Sequence, residues 1–320
     1  MNKYFIMFFI FIAAMISALS FGGHFINIFN HGLEDALILR ELRFPRVLTC
    51  AFVGGVLSIA GLFFQSLFRN DLATPYTLGV ATGGSLGAMI AISSGAVVSF
   101  YLVDSVTIFA FLGAILTITI LTAFNNLFHS INNYTLILCG VALSMFFSSI
   151  VLLLQFLNLQ VDGIRMIRWL MGSVDVVGYS SLWSIMIICI PILLISVMFL
   201  KDLNLLYLGD EFAHTHGVNV KKTQNKIFIL TSFLIAPVVA SFGPIGFVGM
   251  IIPHIAKNLY NKNHMILFPV CFIFGATFLM LCDLLSRVIL TEGNLPLGVV
   301  TSFIGGPFFL WIIFRSLKSA

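Results

Sequence analysis

Charge is what this chain has least of. Of its 320 residues only 9% are Asp, Glu, Lys or Arg, where a soluble domain carries about a quarter, so a soluble globular fold is excluded. Cysteine is scarce as well. Cys50, Cys139, Cys189, Cys271 and Cys282 stand singly inside apolar runs, with no CxxC and no His/Cys cluster, and this suggests neither a disulfide framework nor a zinc site. No GxxxxGKS/T is present to cradle a nucleotide phosphate, and there is no HExxH and no paired acidic motif of a metal-dependent transferase. Also missing is an ionisable residue in the middle of an apolar run, the usual mark of an ion-coupled carrier. A net charge of +4, thinly dispersed, does not argue for nucleic acid. Neither a low-complexity segment nor an internal repeat stands out.

What the chain has is apolar length: 60% of its residues are hydrophobic, and the class is an all-α polytopic membrane protein. Runs free of charged residues extend over 4–33, 47–68, 72–103, 105–161, 176–200, 227–256, 263–282 and 293–314. A crossing helix needs about 20 apolar residues, and two of these runs are long enough and interrupted so as to hold two helices each. The run 105–161 breaks at Phe124 to Tyr134, where asparagines cluster with His129, and 227–256 breaks at Ser241 to Pro244, where Gly then Pro cannot continue a helix. Ten crossings follow. Nine plus a partly inserted helix is the alternative, because 245–258 is short. The basic, apolar start resembles a signal peptide but flows on without charge to Glu34, which predicts an uncleaved first span.

Loops on the cytoplasmic side carry the excess of basic residues. With the N-terminus inside and ten spans, Lys3, Lys201, Lys221, Lys222, Lys226, Lys257, Lys262 and Lys318 all fall on that side, as do both termini. Arg40, Arg43, Arg46, Arg165, Arg168 and Arg287 fall on the other. Single arginines there can snorkel to lipid phosphates; the cluster around Pro45 asks for another reason. Asp283 and Arg287 stand one helical turn apart and can pair.

The longest polar interruption of the second half is Leu205 to Val220. It reads as a short helix, with Asp210 and Glu211 in a first turn that suits the positive end of the helix dipole and Gly217 as a left-handed C-terminal cap. His214 and His216, two apart in this loop, are too weak a pair to argue for a metal. A pump with neither a nucleotide site nor a charge relay must draw energy from elsewhere, and an attached ATPase is the economical source. A secondary transporter would need a mid-span ionisable residue, and an intramembrane enzyme a catalytic pair; the sequence shows neither.

Eight motifs in order, LRFPR (42–46), GLFFQSLFRNDLATPYTLGVATGGSLGA (61–88), GV (140–141), WLMGS (169–173), LGDEFAHTHGVNV (208–220), GPIGFVGMIIPHIAK (243–257), DLLSR (283–287) and LPLGVVTSFIGGPFFLWIIFR (295–315), run nearly end to end. In them the chain resembles the FecCD-type permease subunits of bacterial type II ABC importers for iron-siderophore complexes, haem and vitamin B12. The resemblance implies a single transmembrane permease domain over 1–320 with about ten helices in the bacterial cytoplasmic (inner) membrane. It also implies a second permease copy, identical or related, around a central path. Two cytoplasmic ATPase subunits lie below, and a periplasmic or lipid-anchored substrate-binding protein above. The chain itself binds no cofactor; ATP and Mg belong to the ATPase. Lipid is the surrounding partner.

By the same resemblance Gly209, Asp210, Glu211, Ala213, Gly217 and Val218 couple to the ATPase, within a segment of about 205–220, and His216 stands where an apolar residue is usual. Arg43, Arg46 and Arg287 match arginines that receive acidic residues of the binding protein, and both Arg43 and Arg46 are expected to project from the outer start of the second span. Asn70, Leu72, Asn133 and Tyr134 match loops that close the cytoplasmic end of the path. Asp71, where the family usually has Pro, implies a more flexible, acidic loop. An iron-siderophore or other ferric chelate is the first expectation for cargo, with haem, cobalamin or an oxyanion such as molybdate as alternatives.

Overall fold

The computed structural model describes residues 2–22, 25–27, 32–71, 73–74, 76, 78–95, 104–127, 133–158, 162–290 and 293–319. Among them every regular element is helical. In chain order these are α1 (Asn2–Ser20), α2 (Leu33–Ile38), a π-helical turn (Leu39–Arg43), α3 (Phe44–Phe68), α4 (Val80–Ser94), α5 (Ser105–Leu127), α6 (Asn133–Leu157), α7 (Gly163–Leu170), α8 (Ser180–Val197), α9 (Leu200–Leu208), α10 (Asp210–Thr215), α11 (Val220–Phe242), α12 (Val248–Leu259), α13 (His264–Val288) and α14 (Leu297–Ser319).

Seven described helical stretches are long and apolar enough to cross a membrane, and Val80–Ser94 and Leu297–Ile312 are shorter apolar helices. With α12 the total is about ten, as the runs predict. The expected breaks agree with the element bounds: α5 ends at Leu127 and α6 starts at Asn133, and α11 stops at Phe242, before Gly243 and Pro244. At 12 residues, α12 rises only about 18 Å, so the non-helical stretch 243–247 completes its path. The uncharged run that opens at 72 is helical from Val80; of the described residues before it, Ala73, Thr74 and Leu78 are buried without belonging to a helix.

The hub is α3. Every residue from Val53 to Phe68 is buried, so it is a helix apolar all round, surrounded by its own chain. Such close neighbours require small residues at the crossings, because lipid tails supply no hydrophobic drive and helices associate through packing. Gly54 of α3 faces Gly275 of α13, and Gly61 faces Gly249 of α12, each in backbone contact with its partner. The glycine patch before and within α4 serves the same end, with Gly83 against Gly113 and Thr117 of α5, and Gly87 against the Phe109 carbonyl.

The two ends of α3 are chemically distinct. Arg43 and Arg46 mark one and Arg69 the other; the helix spans about 35 Å from Arg46 to Arg69. Asp175, Asp283 and Arg287 gather at the first end. At the second are Lys3, Lys257 and Asp210. Arg43, Arg46 and Arg287 thus gather at one end of α3, and Lys3 and Lys257 lie with Arg69 at the other.

Candidate coupling and docking sites

At the lysine end α9 and α10 form a tight hairpin that turns at Gly209. Leu203, Leu206 and Ala213 are fully buried behind it, and Val218 is buried beside it, whereas Leu208, Asp210, Glu211, Phe212 and His214 face out. Asp210 and Glu211 occupy the first turn of α10 as expected. The helix ends in a Schellman motif: Val218 N donates to Ala213 O at 3.0 Å and Gly217 N to His214 O at 3.0 Å. Gly217 takes φ +85° there, a conformation that costs glycine little. His216 substitutes for an apolar residue by lying against the Phe212 ring, centroids 4.2 Å apart, with Nδ1 2.8 Å from Phe212 O.

The hairpin is keyed to the bundle by residues that the motifs did not single out. Arg69, at the C-terminal cap of α3, forms an ion pair with Asp210 and donates through Nε to Leu206 O at 2.9 Å. Gln224 Nε2 reaches Asp210 as well, at 3.4 Å. Asn204 Oδ1 accepts from His264 N at 2.9 Å and lies 2.7 Å from its Nδ1, while His264 Nε2 lies 2.6 Å from Ser66 Oγ of α3. Neither link has a local sequence signal: Asp210 lies 141 positions from Arg69, and Asn204 lies 60 positions from His264. A push on α10 therefore reaches α3 through two polar links and the buried leucines behind them.

Of the four residues expected to close this end, Asn70 is exposed, its N donating to Gln65 O at 3.1 Å and its O accepting from Ala73 N at 3.0 Å. Leu72 lies outside the described residues. Asn133 and Tyr134 open α6, and their side chains lie outside the described set, so no grouping of the four is seen. Asp71 is corrected from a loosening residue to a tethered one: its Oδ1 accepts from Lys257 Nζ at 2.8 Å. The His254 ring, 3.8 Å from Oδ2, together with Lys257, holds this carboxyl well below the usual carboxylate range despite partial desolvation.

At the arginine end the expectation that Arg43 and Arg46 project outward is also corrected. Arg43 is 6% exposed and donates to Leu19 O and Ser20 O, both at 2.8 Å. Arg46 bridges Asp283 at 2.7 Å and Asp175 at 2.9 Å. Arg287 pairs with Asp283 at 3.0 Å, as the helical spacing predicts, and donates to Ala18 O at 2.9 Å. The physical reason is local: the chain that leaves α1 presents carbonyls without helical partners, and guanidinium groups satisfy them. Arg40, Arg165 and Arg168, by contrast, are exposed.

Residues 4–315 match the FecCD transport family. The chain belongs to that family. FecCD permeases similar to it include the hemin transport system permease protein HmuU of Yersinia pestis, 32% identical over 95% of this chain and 91% of that protein. The vitamin B12 import system permease protein BtuC of Klebsiella pneumoniae is 32% identical over 88% and 84% of the two chains. A metal-chelate type ABC transporter, solved in an inward-facing conformation, superposes with a TM-score of 0.86 at 28% identity, over 97% of this chain and 98% of that one. This FecCD chain is accordingly an ABC importer permease, and its all-helical fold matches that structure.

Proposed function

We propose that the chain forms, as a dimer, the translocation path for an iron-siderophore or related ferric chelate, driven by ATP hydrolysis on separate subunits that seat on α9 and α10. One observation carries the coupling part. The hairpin is rigidly anchored from behind by Leu203, Leu206, Ala213 and the Arg69 pair, yet it leaves Leu208 and Phe212 exposed at 66% and 43% beside Glu211. Apolar anchors with a charged rim suit a protein partner. The lysine end then faces the cytoplasm, with both termini, in keeping with the excess of basic residues on that side.

A substrate-binding protein would dock at the arginine end. Arg43, Arg46 and Arg287 are engaged within the chain here, so direct docking on them requires those internal partners to be exchanged for acidic residues of the binding protein. Arg40, Arg165 and Arg168 offer exposed charge for the first encounter, which speeds association through complementarity.

For cargo, the similarity to a metal-chelate type transporter and to a hemin permease supports an iron-bearing chelate. The test is uptake by the reconstituted complex, with its ATPase and binding protein, using a radioiron hydroxamate chelate, hemin and cobalamin as separate probes. ATP-dependent accumulation of the ferric hydroxamate above both other probes is expected. Accumulation of hemin or cobalamin alone would reassign the cargo.

A further inference from the structure

The described residues between α3 and α4 are unusual for a membrane protein, because α4 begins well inside the bundle. Gly79, its N-terminal cap, packs against Gly140 and Ser144, which lie about 10 to 17 Å along α6 from its first residue at 1.5 Å per residue. Non-helical backbone at that depth is tolerated only where protein buries it or where it lines a water-filled cavity. Ala73, Thr74 and Leu78 are buried, so the segment depends on its neighbours for its position.

Two neighbours hold it, α12 and the non-helical stretch 243–247 that leads into α12. At the lysine end Lys257 Nζ donates to Asp71 Oδ1 at 2.8 Å and to Gln65 Oε1 at 2.9 Å. Gln65 Nε2 in turn donates to Met250 O at 3.0 Å, fixing α3 to α12 beneath the pair. Deeper in, Ile245 N, just before α12, donates to Tyr76 Oη at 2.6 Å. The Lys257 side chain is only 8% exposed; a cation so placed needs a close anionic partner, and Asp71 supplies it. The ammonium also stands 5.9 Å over the Tyr207 ring of α9, which brings the coupling hairpin into the same cluster.

We propose that Asp71 and Lys257 form an ionic clip which, together with the Tyr76 to Ile245 hydrogen bond, binds this segment to α12 so that the two shift as one body. Asp71 is then a positioning residue for closure of the lysine end. The functional meaning rests on the permease reading above; the clip itself does not.

The test uses the full chain in native membranes, with the five native cysteines replaced by Ala and Ala73→Cys introduced. The introduced thiol should react slowly with a water-soluble maleimide while the clip is closed. Asp71→Asn is expected to raise the rate about tenfold through local opening, Asp71→Glu to stay near the parent, and the exchange Asp71→Lys with Lys257→Asp to restore protection. Because Asp71 is half exposed, Asp71→Asn should fold, and the Glu and exchanged variants guard against a folding defect. Equal labelling of parent and Asp71→Asn, or an exchange no better protected than Asp71→Asn, overturns the clip. In the reconstituted complex Asp71→Asn should move less ferric hydroxamate per ATP hydrolysed, with the exchange restoring the ratio. An unchanged ratio alongside faster labelling of the introduced thiol overturns the positioning role. Absence of ATP hydrolysis in the parent complex itself counts against the permease reading, and the labelling result remains independent of it.

Discussion

Asp283→Asn is expected to destabilise the chain by about 3–5 kcal/mol, the cost of removing one partner from a buried ion pair. The carboxylate is fully buried and is shared by Arg46 at 2.7 Å and Arg287 at 3.0 Å. Its Oδ2 meets Arg287 by charge rather than by an aligned hydrogen bond, so neutralisation removes the attraction that the geometry depends on. Asn keeps the shape and leaves two cations facing each other; the remaining carboxylate on Arg46, Asp175, is 58% exposed and answers only one of them. A melt of the detergent-purified chain should fall by roughly 10 °C. A melt unchanged by Asp283→Asn would show that the carboxylate does not hold the two arginines.

Gly61→Val should prevent assembly of the bundle. A Cβ on Gly61 would fall within the Gly249 carbonyl; the backbone fixes the position of Cβ and its neighbour is backbone, so no rotamer change relieves the overlap. The two helices must separate, and α12 has only 12 residues with which to re-form its contacts. Overpacking of a closed core typically costs about 1–3 kcal/mol, and backbone overlap belongs at or beyond the upper limit. The expected result is loss of the monodisperse peak on size exclusion. Gly306→Ala in α14, where an added Cβ meets nothing within 4 Å, should leave the peak in place. A normal peak for Gly61→Val would contradict the close approach of α3 and α12.

The sequence was most informative where physics acts locally. Apolar length and the Gly243–Pro244 interruption located the spans and the α11 to α12 break, and Asp210, Glu211 and Gly217 defined α10 and its cap, since caps and first-turn charges are short-range signals. It was least informative where a side chain's partner lies far along the chain. Arg43 looked outward because it flanks Pro45, yet it is spent on carbonyls 23 and 24 residues earlier. Asp71 looked like a loosening substitution because Lys257 is 186 positions away. The late start of α4 was hidden for a related reason: the run from 72 is apolar, and nothing local says that its first residues are held by α12 and the stretch 243–247 instead of by their own helix.

The most direct measurement is to purify the tagged chain from native membranes in a mild detergent, identify what stays bound, and assay ATPase activity on the same sample. A Walker-motif ATPase should co-purify, and Glu211→Arg, on the exposed face of α10, should release it while the chain itself remains folded. A chain that emerges with no ATPase and no hydrolysis in the sample would contradict ATP-driven coupling through α9 and α10, and would leave the transport without its energy source.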